Sequence, residues 1–139
     1  MSRRLIINAD DLGASSGTNR AIIECHREGV LTSASLMVTG AAAIEAAQLS
    51  RENPELSVGL HWDVLGEDER RFDLADHAAV REEFHAQMER FHELMGRAPT
   101  HIDSHKHTHL DEAAREIFRE LAAPVGVPVR GDGRVHSAA

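Results

Sequence analysis

The stretch "LSVGLHWDV", residues 56–64, is the centre of the fold that the sequence predicts. It is short and mainly apolar, which is typical of a strand buried in a sheet. Patterns typical of helices flank it on both sides. Residues 41–53 are rich in helix-forming residues, and residues 79–95 carry apolar side chains at a spacing close to the helical period. A strand between two helices indicates an α/β fold.

The alternation of strands and helices continues outward in both directions. The other predicted strands are residues 3–10, 31–40 and 100–105, with the start of a fifth at residues 127–131. Two further helices are predicted. The first is capped by Thr18, ends at Gly29 and has these residues on its inward side: Ala21, Ile22, Cys25 and His26. The second is capped by Asp111. This order predicts a parallel sheet whose strands all end at one edge.

The length of 139 residues is enough for one domain with one core, and no internal boundary divides residues 1–139. The charged segment at residues 66–76 is expected to be a surface loop. Residues 131–139 are polar and without periodicity, so we expect a disordered tail.

The charge and composition exclude several classes of function. The formal net charge is −8, which argues against a nucleic-acid partner because phosphate binding needs a basic surface. No apolar stretch is long enough to cross a bilayer, and the first residues lack the pattern of a signal peptide. The only cysteine is Cys25, so no disulfide can form within the chain. We therefore expect a cytoplasmic protein without a membrane partner.

Residues of the kind that bind metals occur late in three of the predicted strands. They are Asp10 and Asp11 in the first, His61 and Asp63 in the third, and Asp103, Ser104 and His105 in the fourth. Active sites of parallel α/β folds form at the carboxyl edge of the sheet, where these three clusters would meet. Each cluster also has an ordinary explanation, since adjacent acids are common in turns and a single histidine is often only hydrogen-bonded.

The stretch "THIDSHKHTH", residues 100–109, has histidine or aspartate at every second position. In an extended strand His101, Asp103, His105, His107 and His109 would all point to one side. Such a row is either a metal site or a polar strip that contacts water. Trp62 also has two interpretations. It fits best as a core residue, and the alternative is a platform on which a sugar ring stacks.

Three of these segments, taken together, resemble one family. "NADDLG", "GLHWDV" and "PTHIDSHKHTH" are similar to the motifs of the YdjC-like carbohydrate deacetylases, which include chitooligosaccharide deacetylases and deacetylases associated with hopanoid biosynthesis. The likeness extends from about residue 4 to about residue 129. It implies a distorted, TIM-like β/α barrel, of which this chain would form about four to five βα units, the N-terminal half.

The resemblance also implies roles for individual residues. Asp11, His61 and His105 match the metal ligands of the family, and Asp10 matches its presumed general base. The implied reaction is hydrolysis, with water activated by the metal, of the acetyl amide of an N-acetylated sugar. The implied metal is magnesium or another divalent ion. We expect Asp103 to orient a ligand imidazole, and His107 and His109 to support the site or line its cleft.

The ligand types agree with this chemistry and bear on the choice of metal. One carboxylate and two imidazoles leave coordination positions open for water and substrate. Imidazole suits zinc, cobalt, manganese or iron better than magnesium, so magnesium rests on the family alone.

The chain also departs from the family. Familiar members are longer, and a later His-Pro motif, whose histidine is a candidate acid, does not occur here. The short chain could be a fragment, a homo-oligomer that completes the sheet between copies, or a relative that binds metal or sugar without turnover. We expect an oligomer or a fragment. An amidohydrolase-type enzyme is a further alternative, although in that class the HxH motif ends the first strand rather than the fourth.

Overall fold

The computed structural model describes residues 5–64 and 73–131, and strands and helices alternate along them. The strands are β1 (Asn8–Leu12), β2 (Ser33–Leu36), β3 (Ser57–Trp62) and β4 (Ile102–Ser104). The α-helices are α1 (Ser16–Glu28), α2 (Ala43–Glu52), α3 (His77–Met95) and α4 (Arg115–Ala122). Two 3-10 helices, His105–Leu110 and Ala123–Val125, flank α4.

Over these residues the strands form one parallel sheet in the order β1-β2-β3-β4. Each strand therefore lies beside the next one in the chain, with a helix in each connection, which is the arrangement of a (β/α) barrel. The predicted fold class, an α/β partial barrel with a parallel sheet, is confirmed. The predicted fifth strand is reduced, within the described chain, to a parallel bridge between Ile102 and Val129.

The core lies on one face of this sheet. Side chains alternate between the faces of a strand, and on this face they are apolar and almost fully buried: Ala34, Leu36, Val58, Leu60, Trp62 and Ile102. The helices cover them with their own apolar residues, among which Phe84, Phe91 and Phe118 are the largest. Trp62 packs against Phe118 with ring centroids 5.1 Å apart, and Phe84 packs against the same ring at 5.5 Å.

The ends of α3 follow directly from the sequence. The Asp76 carboxylate accepts hydrogen bonds from the backbone N–H groups of Ala78 and Ala79, which otherwise have no partner in the first turn. Gly96 ends the helix with a φ of 67°, a left-handed conformation that glycine adopts without steric cost.

The first helix differs from its prediction in two respects. Ser15, not Thr18, is its N-cap, and the Ser15 side chain accepts a hydrogen bond from the backbone N–H of Thr18. The buried stripe also differs from the predicted one. Ile22 and Ile23 are buried, whereas Cys25 is exposed rather than part of the core.

Some predictions concern residues that are not described. The predicted loop at residues 66–76 falls partly outside the described residues, and so does the predicted tail beyond residue 131. Within the described ranges, no helix has both the length and the apolar character needed to cross a membrane.

Candidate metal centre

The second face of the sheet is polar, in contrast to the core face. Side chains from all four strands meet on it: Asn8 and Asp10 of β1, Ser35 of β2, His61 of β3 and Asp103 of β4. Hydrogen bonds connect them in sequence. Asn8 donates to Asp10 and Ser35, Ser35 donates to Asp103, and His61 donates to Asp103, over donor–acceptor distances between 2.6 and 2.9 Å.

A bulge in β1 brings two neighbouring aspartates to this polar side. The register of β1 with β2 shifts between Ala9 and Leu12, and Asp11 has a φ of 64°. In a regular strand Asp10 and Asp11 would point to opposite faces, whereas an extra residue in a bulge changes the direction of those that follow. Leu12 then returns to the core, where it is fully buried. The pair therefore lies within β1 and not after it.

His61 is held by a carboxylate on each side of its ring. Its Nδ1 lies 2.6 Å from Asp103 Oδ1, and its Nε2 lies 3.2 Å from Asp11 Oδ1. The side chain is only 1% exposed. Burial works to lower the pKa of His61, but the hydrogen bond and charge of Asp103, with the charges of Asp10 and Asp11, raise it overall.

The Asp103 carboxylate accepts a hydrogen bond from His61 Nδ1. It is fully buried, and burial alone would raise its pKa. The hydrogen bond and charge of His61, the charge of Arg130 and the Ser35 hydroxyl outweigh burial and lower that pKa. An ionised Asp103 can only accept hydrogen bonds, so His61 donates through Nδ1. In a neutral ring the lone pair of His61 Nε2 is then directed towards Asp11.

His105 completes a group of three possible ligands. It follows β4 directly, and its Nδ1 lies 3.0 Å from the same Asp11 Oδ1 that faces His61. One potential donor atom from each of Asp11, His61 and His105 lies within 4.8 Å of the other two. A carboxylate oxygen beside two imidazole nitrogens needs a proton or a cation between them, so the arrangement suits a divalent ion.

The structure thus brings together the three residues that the sequence analysis placed at a metal. Their separations along the chain are large, and the sheet is what joins them. Asp63, the other acid of the third cluster, lies apart from the group. It is buried after β3, where its backbone N–H and carbonyl bind the side chain of Gln87.

A second group of possible ligands consists of Asp10, His61 and Asp103. Here a positive charge is already present. Arg130 lies 2.8 Å from Asp10 Oδ2 through Nη1 and 2.6 Å from Asp103 Oδ2 through Nη2. Burial works to raise the pKa of Asp10, and the hydrogen bond and charge of Arg130 lower it overall. The first group is therefore the better candidate for a metal.

The sequence analysis missed Arg130. It assigned no role to the arginine of "VPVRG", although Arg130 is close to the carboxyl end of the predicted fifth strand. The same rule that pointed to Asp103 and His105 therefore applied to this residue. A basic residue at a strand end, opposite several acids, was the available signal.

The alternating histidine row does not continue past His105. The chain turns into a 3-10 helix, in which Lys106 and His107 have left-handed backbone angles with φ of 51° and 54°. The common face that an extended chain would give to His101, Asp103, His105, His107 and His109 therefore does not extend to the last two. An extended conformation was the premise of that prediction, and it ends at Ser104.

His107 and His109 have different environments. His107 is exposed. His109 is buried, with Nδ1 2.7 Å from the Ser104 hydroxyl and Nε2 2.9 Å from the backbone carbonyl of Arg130. Burial is the main cause of its lowered pKa, so a neutral ring suits this site. His109 therefore connects the end of β4 to the backbone of Arg130 rather than contacting the candidate ligands.

The His101 ring lies on the polar face, in space that is open because residue 59 is a glycine without a Cβ. A Cβ at Gly59, the neighbouring position on β3, would lie 2.5 Å from three atoms of the His101 ring. His101 Nε2 lies 3.1 Å from the Ser35 hydroxyl. His101 therefore supports Ser35, which in turn binds Asp103.

Trp62 belongs to the core, in agreement with the first of its two interpretations. The side chain follows His61 on β3 and points to the opposite face, where it is fully buried against Phe118. The indole exposes no surface on which a sugar ring could stack, so the low-ranked substrate role for Trp62 is not supported.

Comparison with known proteins gives consistent matches. A family model described as "YdjC-like protein" matches residues 4–138. A chitooligosaccharide deacetylase from Klebsiella pneumoniae strain 342 is 39% identical in an alignment that covers 97% of this chain, and one from Proteus mirabilis strain HI4320 is 37% identical over 95%. The chain spans only 62% and 60% of the length of those two relatives.

A solved structure is also similar. It is a crystal structure from Enterococcus faecalis V583 of a protein provisionally named for cellobiose-phosphate cleavage. The TM-score is 0.81 and the sequence identity 30%, over 94% of this chain and 59% of the other. The similarity therefore extends over most of this chain.

Proposed function

The chain belongs to the YdjC-like family, and we propose that it is a metal-dependent hydrolase that removes acetyl groups from N-acetylated carbohydrates. The observation that carries this proposal is the meeting of Asp11, His61 and His105 at one point on the polar face. The names of the curated relatives, which are chitooligosaccharide deacetylases, support an acetylated amino sugar as the substrate class.

The proposed ligands are the Asp11 carboxylate and the imidazoles of His61 and His105. When bound, a divalent cation supplies polarisation of the amide carbonyl and a water molecule of lowered pKa. The family resemblance suggests magnesium, whereas two imidazoles favour zinc, cobalt or manganese. Asp103 contributes by fixing the His61 ring through Nδ1, which leaves Nε2 free as a ligand atom.

We assign the role of general base to Asp10. The Asp10 carboxylate is paired with Arg130 and has an oxygen within 4.8 Å of a His61 nitrogen, so an ionised Asp10 can accept a proton beside the candidate ligands. Among the described residues, Asp10 Oδ1 accepts hydrogen bonds from Asn8 and from Arg130 Nη2, and Oδ2 accepts one from Arg130 Nη1. A carboxylate oxygen has two lone pairs, so Oδ2 retains capacity to take the proton of an attacking water.

Homo-oligomer formation is a further proposal. β1 is an edge strand of the described sheet, and it follows two exposed apolar residues, Leu5 and Ile6, which are 78% and 58% exposed. Unpaired strand edges with apolar neighbours are sites of pairing between chains. Size-exclusion chromatography with light scattering tests this, and a homogeneous monomer would contradict it.

The proposed activity can be tested on the purified chain by measuring metal content together with hydrolysis of N-acetylglucosamine oligomers. We expect turnover that EDTA removes and added divalent ion restores. Asp10→Asn should lower turnover by about 100-fold or more while the metal stays bound, because general base catalysis contributes roughly that much. Glu55→Gln, which changes an exposed carboxylate remote from the polar face, is the control.

Two results would contradict the proposal. Full turnover in metal-free protein would exclude metal-dependent hydrolysis. Tight metal binding without hydrolysis of acetylated sugars would instead support the alternative function, a relative that binds metal or carbohydrate without turnover.

A further inference from the structure

Arg130 reaches the polar face from a segment of the chain that is fixed beside β4. Its backbone N–H donates to the carbonyl of Ile102 over 3.1 Å, and the Ile102 N–H donates to the carbonyl of Pro128 over 3.0 Å. His109 binds the Arg130 carbonyl. Hydrogen bonds to Ile102 and His109 therefore fix the backbone around Arg130. The Arg130 side chain is only 22% exposed.

The guanidinium joins two carboxylates that come from different strands. Nη1 and Nη2 bind the two oxygens of Asp10 at 2.8 and 2.5 Å, and Nη2 also lies 2.6 Å from Asp103 Oδ2. The paired contacts to Asp10 fix the rotation of its carboxylate, which a single contact would not. The positive charge also offsets the repulsion between two acids that are partly or fully buried.

We propose that Arg130 is a positioning residue, which holds the Asp10 carboxylate in one orientation beside the candidate metal centre and joins it to Asp103. The role of Asp10 in turnover rests on the proposed function, whereas the holding of its carboxylate does not. In the contacts described for the chain, Arg130 bonds to Asp10 and Asp103 and not to Asp11 or His105. Its loss should therefore act on turnover far more than on metal binding.

Three variants separate this role from a general structural one. Arg130→Met removes the charge and keeps much of the volume, Arg130→Lys keeps the charge but loses the paired geometry, and Arg130→Ala leaves room for free guanidinium. Arg90→Met is the matched control, because Arg90 is an exposed arginine on α3 paired with Glu93.

The measurements are kcat and KM on N-acetylglucosamine oligomers and the affinity for Mn²⁺ by calorimetry. In Arg130→Met we expect kcat to fall by about 100-fold, the size of a general-base contribution, with KM and Mn²⁺ affinity little changed. Arg130→Lys should keep an intermediate kcat, and guanidinium should restore part of the turnover of Arg130→Ala. Arg90→Met should match the parent chain.

Two results would overturn the inference. The first is a kcat of Arg130→Met equal to that of the parent. The second is a loss of Mn²⁺ affinity of more than about tenfold in parallel with kcat, which would show damage to the whole centre and not to Asp10 alone. Failure of guanidinium to restore any turnover of a folded Arg130→Ala also counts against it.

A failure of the proposed function gives a different pattern, in which the parent chain itself does not hydrolyse acetylated sugars. Crystal structures of the parent and Arg130→Met then decide the inference without an assay. We expect the Asp10 carboxylate to rotate in the variant while Asp11, His61 and His105 keep their positions. An unmoved Asp10 would overturn the inference.

Discussion

The two faces of the sheet are built from the same strands but depend on different physical properties. On the core face, Leu36, Leu60 and Ile102 are buried against helices. Burial of apolar surface has no direction, so any well-packed set of similar volume serves. On the polar face, Asp103 and His61 depend on particular atoms at particular distances. The core face should therefore tolerate changes that keep its volume, and the polar face should tolerate few.

The polar face is stable because its groups satisfy one another. Asp103 is fully buried, yet it receives hydrogen bonds from Ser35 and His61 and lies against Arg130. A buried charge without such partners would cost several kcal/mol, about as much as a large core residue contributes. Loss of one buried partner on the polar face should therefore cost about as much as truncation of one large core residue.

The largest difference in metal affinity is expected between variants of His105 and His107, two histidines of one segment. His105→Ala should weaken divalent ion binding by more than about 100-fold, since residues that merely support ligands account for up to roughly that factor. His107→Ala should have little effect, because His107 is exposed and lies outside the ligand group. Calorimetric titration with Mn²⁺ or Zn²⁺ measures both, and equal affinities in the two variants would exclude His105 as a ligand.

A change confined to the core face should alter stability but not metal binding. Phe118→Ala should lower the free energy of unfolding by about 3–5 kcal/mol, because Phe118 is 1% exposed and packs between Trp62 and Phe84. Arg119→Ala, on the exposed side of the same helix, is the control and should stay within about 0.5 kcal/mol of the parent. Urea unfolding provides the measurement. A small effect of Phe118→Ala would place the core elsewhere.

The glycine of β3 tests how closely the polar face is packed. Gly59→Ala should cost about 1–3 kcal/mol, because the new methyl group would overlap the His101 ring. The cost should fall by about 1 kcal/mol or more when His101 is also changed to alanine, a coupling that urea unfolding of the single and double variants can measure. Additive effects of the two changes would mean that the ring and the glycine are not in contact.

The smallest effect concerns pH. Burial lowers the pKa of His109 in the folded chain, so the unfolded chain binds a proton first as the pH falls. The stabilisation by neutral His109 is therefore present above its unfolded pKa and is lost as the pH falls towards the folded value. Stability should decrease from about pH 7.5 to about pH 5.5 less in His109→Gln than in the parent. An equal decrease in both would show that His109 does not contribute.

Residue patterns in the sequence were sufficient for the core face. The alternation of strands and helices and the apolar spacing of α3 depend on burial, which repeats with the period of each element. The buried residues Ile117, Phe118 and Leu121 of α4 follow the same period. The ends of elements were less accurate, since local capping bonds such as that of Ser15 decide them.

The polar face could be predicted only in part. The carboxyl ends of parallel strands share an edge, which predicted that the three clusters meet, and the resemblance selected Asp11, His61 and His105 among them. Two local features escaped prediction because both require left-handed backbone at residues other than glycine: the bulge at Asp11 and the turn at Lys106 and His107. Arg130 escaped because its partners are about a hundred residues away or on another strand, and no periodic pattern connects them.

The bulge in β1 makes two adjacent backbone units serve the same side of the sheet. The proposed proton acceptor Asp10 and the proposed ligand Asp11 are consequently joined by a single peptide bond. Covalent geometry at that peptide bond limits the distance between Asp10 and Asp11. The positions of His61 and His105 relative to them depend instead on how the strands assemble. Deleting either aspartate would remove the extra residue and leave one residue opposite Ser35, with Leu12 still opposite Leu36. The bulge therefore adds a second acid to the polar side without displacing the core residue that follows it.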